Sequence, residues 1–392
     1  MARDIALCLS GGGYRAAWFN LGILRKLHDL ELLDRIGVIS SVSGGSILAG
    51  FYATALRNGR SFPDFVATVS RFLSRRVPLD YWALPQDFLP WSTSSKALER
   101  NYTHAFQSDD GAITLSDLSH VAPRFVFNAT AVHNGAGWRF LSNGTAEQWD
   151  LISTHSRAFE ARYIRYRCPT VSLGAAVAAS SAFPAFSAVT IPGSALEPTG
   201  DCYRPNPEVE GVTPPLDQRL PDPLVLSDGG IVDNIGLTSI MTGMVPADAP
   251  DSFYLVASDA GAALSRLTQP STGRFRRLKY ALRQLDIQGT HNNDMTTILV
   301  VSHQRAQKTA KGVAICRINR AVPHRGETLE GVARLAAIET RLRRLAPRDT
   351  VDLMQHAGNL VWTRLTEYTD LLPESKQMLG AVRRVRSDVI PT

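Results

Sequence analysis

The sequence predicts an α/β protein, with a mainly parallel central sheet between layers of helices and a mostly helical C-terminal stretch. Three observations predict it. Short unbroken apolar runs at Ile5–Leu9 and residues 38–42 have the character of strands buried on both faces. A glycine-rich turn follows each run, Gly11-Gly12-Gly13 after the first and Ser43-Gly44-Gly45 after the second. Each turn opens a stretch with apolar residues at helical spacing. The order strand, turn, helix, strand, turn, helix calls for parallel strands and right-handed crossovers.

Taken in order, residues 16–33 carry one apolar stripe, Trp18, Leu21, Leu24, Leu27 and Leu30. Residues 47–56 (ILAGFYATAL) read as a buried helix. Residues 60–120 crowd aromatic side chains among prolines and charges with no clean period, which predicts an insertion packed on the domain. Trp82 and Trp91 within it suit a lid that meets lipid, since indole tolerates one wet end; as filler beneath a loop they need no such role. Residues 125–132 and 138–141, split by Asn134-Gly135, read as a β-hairpin. Residues 173–182 read as a buried helix that ends before Pro184. Residues 198–223 are rich in proline and charge and read as a long loop. Residues 224–227 form a strand that stops at Asp228-Gly229-Gly230. Residues 253–258 and 298–302 read as further strands. Phe275, Leu278, Leu282 and Leu285 make a helical stripe flanked by arginines, and residues 328–345 and 350–372 are amphipathic helix candidates. The expected division is a core over residues 1–260 and a helical extension over 261–392.

Composition bounds the function. The chain has 392 residues, 44% of them hydrophobic and 20% charged, which provides a large core and excludes wholesale disorder. Six lysines stand against 36 arginines, and the formal net charge is +6. An arginine-rich surface suits anionic lipid head groups or nucleic acid, and equally a solvated helix face. No nucleic-acid motif accompanies the charge. Cys8, Cys168, Cys202 and Cys316 form no CxxC pair, which excludes a zinc ribbon, and their spacing is no disulfide framework. A reducing compartment fits them. The start of the chain has no signal-peptide pattern, and no apolar run reaches the roughly 18 residues that a membrane span needs. The expected location is cytoplasmic, with at most peripheral contact at the inner membrane face.

Three motifs carry chemistry. Ser43 lies between an apolar strand and an apolar helix, where a nucleophile elbow exposes a hydroxyl above the sheet; Ser41 and Gly45 hold the flanking positions that need small residues. Gly11-Gly12-Gly13-Tyr14-Arg15 follows the first strand. Its backbone N–H groups would serve as an anion cradle or an oxyanion hole, with Arg15 adding positive charge. The loop lacks the Gly-Lys-Ser/Thr ending of a nucleotide-phosphate loop. Asp228 ends an apolar strand before a glycine pair, and a carboxylate there could take the serine proton. Each motif closes a predicted strand at the edge where open parallel sheets bind ligands.

The segments SGGGYRA, SVSGGS and LSDGGIVDN, in this order and spacing, resemble the patatin-like phospholipases. Residues 175–185 (AAVAASSAFPA) are similar to the small-residue helix and proline of that family, and the likeness spans roughly residues 4–260. Ser41 is the departure, standing where the family's elbow has glycine. The resemblance implies a three-layer α/β/α fold and a Ser–Asp dyad without histidine. Ser43 would be the nucleophile, Asp228 the base, and Gly11, Gly12, Gly13 and Arg15 the oxyanion loop. It implies no cofactor or metal, a phospholipid or lysophospholipid substrate, and, by likeness to bacterial effectors, activity switched through the C-terminal helices. Two other readings stand beside it. One is a Ser-Asp-His esterase using His291 or His303, although only one strand precedes the strand leading to Ser43. The other is a non-catalytic lipid-binding protein.

Overall fold

The computed structural model describes residues 2–75, 94–152, 160–183, 188–203, 219–261, 276–307, 310–340 and 342–375. In chain order, β1 (Ile5–Leu9) leads through the glycine turn into α1 (Gly13–Asp29), and β2 (Ile36–Val42) leads through Ser43 into α2 (Gly44–Arg57). The aromatic-rich region supplies α3 (Phe62–Leu73), α4 (Ser94–Ala105) and a two-residue ribbon, β3 (Gln107–Ser108) with β4 (Gly111–Ala112). Then come β5 (Arg124–Ala131), β6 (Gly137–Leu141), β7 (Thr145–Ile152), β8 (Glu160–Arg167), α5 (Leu173–Ser180), β9 (Val189–Ile191), β10 (Glu197–Tyr203) and β11 (Leu224–Asp228). The chain continues as α6 (Leu237–Met241), β12 (Phe253–Asp259), α7 (Arg276–Gln307), β13 (Ala310–Arg317), α8 (Leu329–Ala336) and α9 (Pro347–Tyr368).

The expected α/β architecture is present. Strands β13, β12, β1, β2 and β5 lie side by side and parallel. Strand β1 is buried on both faces, which is why its sequence is an unbroken apolar run. Ile5, Leu7 and Leu9 pack into the larger core with residues of α1, α2, α5 and α9; Ala6 and Cys8 face the smaller core with Leu237, Ile240 and Val300. The result is three layers. Beyond β5 the sheet continues as an antiparallel wing through β6, β7, β8 and β10. The expected hairpin is its first turn, where Ala136 N–H donates to Asn134 Oδ1 at 3.1 Å and Gly135 takes φ 73°.

Four expectations are corrected. Residues 298–302 are not a strand but lie within α7: a short run of β-branched residues is ambiguous by itself, and Asn293, Thr297 and Val300 are buried at helical spacing. The opposite error concerns residues 310–317 (AKGVAICR), which form β13, so the sheet draws a strand from beyond residue 260. Residues 328–345 hold only the short α8, capped by the Thr328 hydroxyl accepting from Gly331 N–H at 3.1 Å. The expected loop over 198–223 begins as strand β10. In the aromatic-rich region, Phe65, Tyr102 and Phe106 are buried core, with Phe106 edge-on to Phe51 at 5.0 Å. Trp82, Trp91 and Pro184 lie outside the described residues. All four cysteines are free, and burial raises Cys8, Cys168 and Cys316 above the ordinary thiol range, the last two to about 12.

The antiparallel wing is held by a buried charge cluster. Glu147, fully buried, accepts from Arg139 at 2.7 Å and from Arg165 at 2.8 Å. Both arginines sit on strands flanking β7, at positions paired with Glu147. Removing the carboxylate would strand Arg139 without its counter-charge in a dry interior. Glu147→Ala is therefore expected to cost about 3–5 kcal/mol, read by thermal or denaturant unfolding.

Candidate active site

One edge of β5 assembles the site. Strand β2 runs parallel to it as far as Val42, which lies opposite Asn128. Strand β11 takes up the same edge from the other direction and ends with Asp228 opposite Ala129. The two strand ends meet head-on, so the residue after Val42 and the last residue of β11 come together. Sequence alone places both at strand ends; that one strand is antiparallel is what makes them face each other.

Ser43 sits at φ 50°, ψ −116°, in a region that a residue with a Cβ seldom adopts, and serves as N-cap of α2. The sharp bend explains Gly45, where a Cβ would lie 2.1 Å from the Leu9 carbonyl oxygen. Ser41 fits without glycine's freedom because its hydroxyl is used: it donates to Val126 O at 3.0 Å and accepts from Ser46 Oγ at 3.0 Å. Ser180 Oγ lies 2.8 Å from Ser46 Oγ and accepts from Ser43 N–H at 3.1 Å. With one proton per hydroxyl the chain has a single direction, Ser180 to Ser46 to Ser41 to Val126. The end of α5 thus clamps both partners: Ser43 N–H also donates to Ser180 O at 3.2 Å, and Asp228 N–H donates to Ala182 O at 3.0 Å.

The Asp228 carboxylate accepts from Gly230 N–H at 2.7 Å, and the Ser43 hydroxyl lies near enough to lower its pKa. Asp228 is 4% exposed. Burial raises its pKa to about 6 from an ordinary 3.8, against the lowering effect of the Gly230 N–H and the nearby Ser43 hydroxyl. A carboxyl group with that pKa is ionised at neutral pH yet can still take up a proton. On the acid side of about 6, kcat/KM is expected to fall about tenfold per pH unit, with a plateau above, in an ester-hydrolysis profile.

The glycine loop abuts the bend. A Cβ at Gly44 would lie 2.1 Å from the Gly13 carbonyl oxygen, so the N-termini of α1 and α2 converge on Ser43. Gly12 (φ 132°) and Gly13 (φ 61°) take conformations that favour glycine. The first N–H groups of a helix have no partner within it, which leaves the amides of Gly13 and Gly44 available to an anion beside Ser43.

Two expected members of the loop, Gly11 and Arg15, make structural contacts. Gly11 is no oxyanion donor, because its N–H is spent on Asn234 O at 2.8 Å. It is glycine for space: a Cβ there would meet Asn234 Oδ1 at 2.2 Å and Ser43 Cβ at 3.0 Å. Arg15 is buried, and its guanidinium donates to Ala260 O at 2.7 Å, to Thr340 Oγ1 at 3.2 Å and to Ile338 O. It bolts the start of α1 to the end of β12 and the C-terminal segment, with its Nη2 against Gly12, where a Cβ would meet it at 3.0 Å. Asn234 is the residue that sequence reasoning passed over. Asp233 beside it caps α6, accepting from Thr238 N–H and Oγ1 at 2.7 Å each. His291 is an exposed residue of α7, and the side chain of His303 lies outside those described.

A family model for patatin-like phospholipases matches residues 7–241, more than half of the chain. The chain belongs to the patatin-like phospholipase family. Lipid ester hydrolysis is the chemistry of that family, and the Ser43, glycine-loop and Asp228 motifs all fall inside the match. A comparison with curated protein sequences finds no match. Among solved structures, human GIVD cytosolic phospholipase A2 is similar in fold at 12% identity and TM-score 0.50, covering 97% of this chain and 60% of that one. VipD from Legionella pneumophila aligns over 93% of this chain and 67% of its own, at 12% identity and TM-score 0.40. ExoU of Pseudomonas aeruginosa, solved with SpcU, aligns over 78% and 53%, at 15% identity and TM-score 0.29. This patatin-like phospholipase therefore spans about two thirds or less of the length of those chains. Among its described residues no helix is long and apolar enough to cross a membrane.

Proposed function

We propose that the protein hydrolyses fatty-acyl esters of phospholipids or lysophospholipids through an acyl-enzyme on Ser43, with Asp228 as the general base. Asp228 takes the hydroxyl proton as Ser43 Oγ attacks the ester carbonyl. The resulting oxyanion accepts hydrogen bonds from the loop amides, Gly12, Gly13 and Gly44. Collapse breaks the ester C–O bond, and the proton on Asp228 goes to the departing alcohol. A water, deprotonated by Asp228, then attacks the acyl-enzyme and releases the fatty acid and Ser43.

The observation that carries this reading is the head-on meeting of two strand ends, which brings a hydroxyl on a strained bend beside a buried carboxylate with a pKa raised to about 6. A substrate carried in a bilayer requires peripheral contact with the membrane surface, and the chain's basic charge suits an anionic leaflet. The experiment is product analysis on mixed phospholipid vesicles, wild type against Ser43→Ala. Free fatty acid and lysolipid from the wild type only are expected. Equal release by both proteins would refute Ser43 as nucleophile, and release of a phosphorylated head group would refute acyl-ester cleavage.

A further inference from the structure

At the sheet edge far from Ser43, a groove of about 540 Å³ runs along β13 between α7 and α9. β13 is the outer strand, three places from β2, or about 14 Å at ordinary strand spacing. Four cations line the groove, Lys311, Arg317, Arg320 and Arg364, and no described lining residue is acidic. Three of them carry acidic partners. Arg317 pairs with Asp294 at 2.8 Å and Asp259 at 3.6 Å, Arg364 pairs with Glu367 at 2.9 Å, and Lys311 lies 4.0 Å from Asp4. Arg320 is exposed and forms no ion pair among the described residues.

Two further donors are unspent. Thr297 is 8% exposed and lines the groove, and among the described residues neither its buried hydroxyl nor the buried Nε of Arg364 has a hydrogen-bond partner. A buried polar atom left unpaired is costly, and a ligand oxygen in the groove would satisfy it. Arginine forks bind the oxygens of phosphate in pairs, which an unpaired edge strand does not need for its own stability. The volume exceeds what one phosphate ion fills and lies in the range of small-molecule sites.

We propose that this groove binds a phosphate group carried by a larger molecule, with Arg320 and Lys311 as the outer clamp and Thr297 and Arg364 as inner donors. The site is separate from the acyl-ester chemistry, so its test does not depend on hydrolysis.

The test uses full-length Ser43→Ala protein, so that no lipid is consumed. Calorimetry with pyrophosphate at low salt, against sodium chloride of matched ionic strength, reads soluble ligand. Co-sedimentation with phosphatidylcholine vesicles, with and without phosphatidic acid, reads the lipid-borne phosphate. Saturable binding in either arm is expected, weakened about tenfold by Arg320→Gln and again by Lys311→Gln, with unfolding unchanged. Pyrophosphate binding assigns a soluble ligand, and binding to phosphatidic-acid vesicles alone assigns a head group. No saturable binding in either arm, or binding that both variants leave intact, overturns the proposal and leaves the cations as guards of an open strand edge.

Discussion

Asp228→Asn is expected to abolish hydrolysis and to raise the melting temperature at neutral pH. The loss follows from role: asparagine keeps the shape and the hydrogen bond from Gly230 but cannot take a proton, and kcat is expected to fall by about four orders of magnitude. The gain follows from burial. Folding raises the carboxyl from 3.8 to about 6, so the folded state holds the proton more tightly than the unfolded chain does. Ionising it in the interior costs up to about 3 kcal/mol at pH 7. The sign fixes the pH window. Wild-type stability declines as pH rises from about 4 to about 6, and the advantage of Asp228→Asn is full above that window and vanishes below it. Paired melts at pH 4 and pH 7.5 with an ester assay check both halves. A variant that loses activity and stability together would mean that the carboxylate serves structure.

Gly44→Ala is expected to have the second largest effect. Its methyl group would lie 2.1 Å from the Gly13 carbonyl oxygen, backbone against backbone. Neither side can give without moving the donors at the heads of α1 and α2. Misplacing an oxyanion donor costs about 100- to 1000-fold in kcat, so a loss of that size is expected with little change in KM. Gly289→Ala, within α7, is the control. Nothing lies within 4 Å of its added methyl, and the helix gains about 0.5–1 kcal/mol. Activity there should be unchanged.

Much of this site is legible in the sequence, and the reason is local. Ser43 and Asp228 each close an apolar run, and small residues must flank a sharp bend. What the sequence hides is direction. Arg15 follows the glycine loop directly and its guanidinium lies against Gly12, yet its hydrogen-bond partners are 245 and more positions downstream. Gly11 looks like a donor until Asn234 is seen to take its N–H. Ser180 holds Ser43 across 137 residues, a contact that no spacing rule announces. The same applies to the fold: four β-branched and aliphatic residues at 298–301 read as a strand in isolation, and only the helical burial around them shows otherwise.

The central claim is that Ser43, activated by Asp228, is the atom that accepts the acyl group. A fluorophosphonate probe followed by peptide mass spectrometry tests it most directly. A single adduct on the peptide holding Ser43 is expected, absent from Ser43→Ala and formed far more slowly in Asp228→Asn. An adduct on any other serine, or labelling of Asp228→Asn at the wild-type rate, would contradict the account.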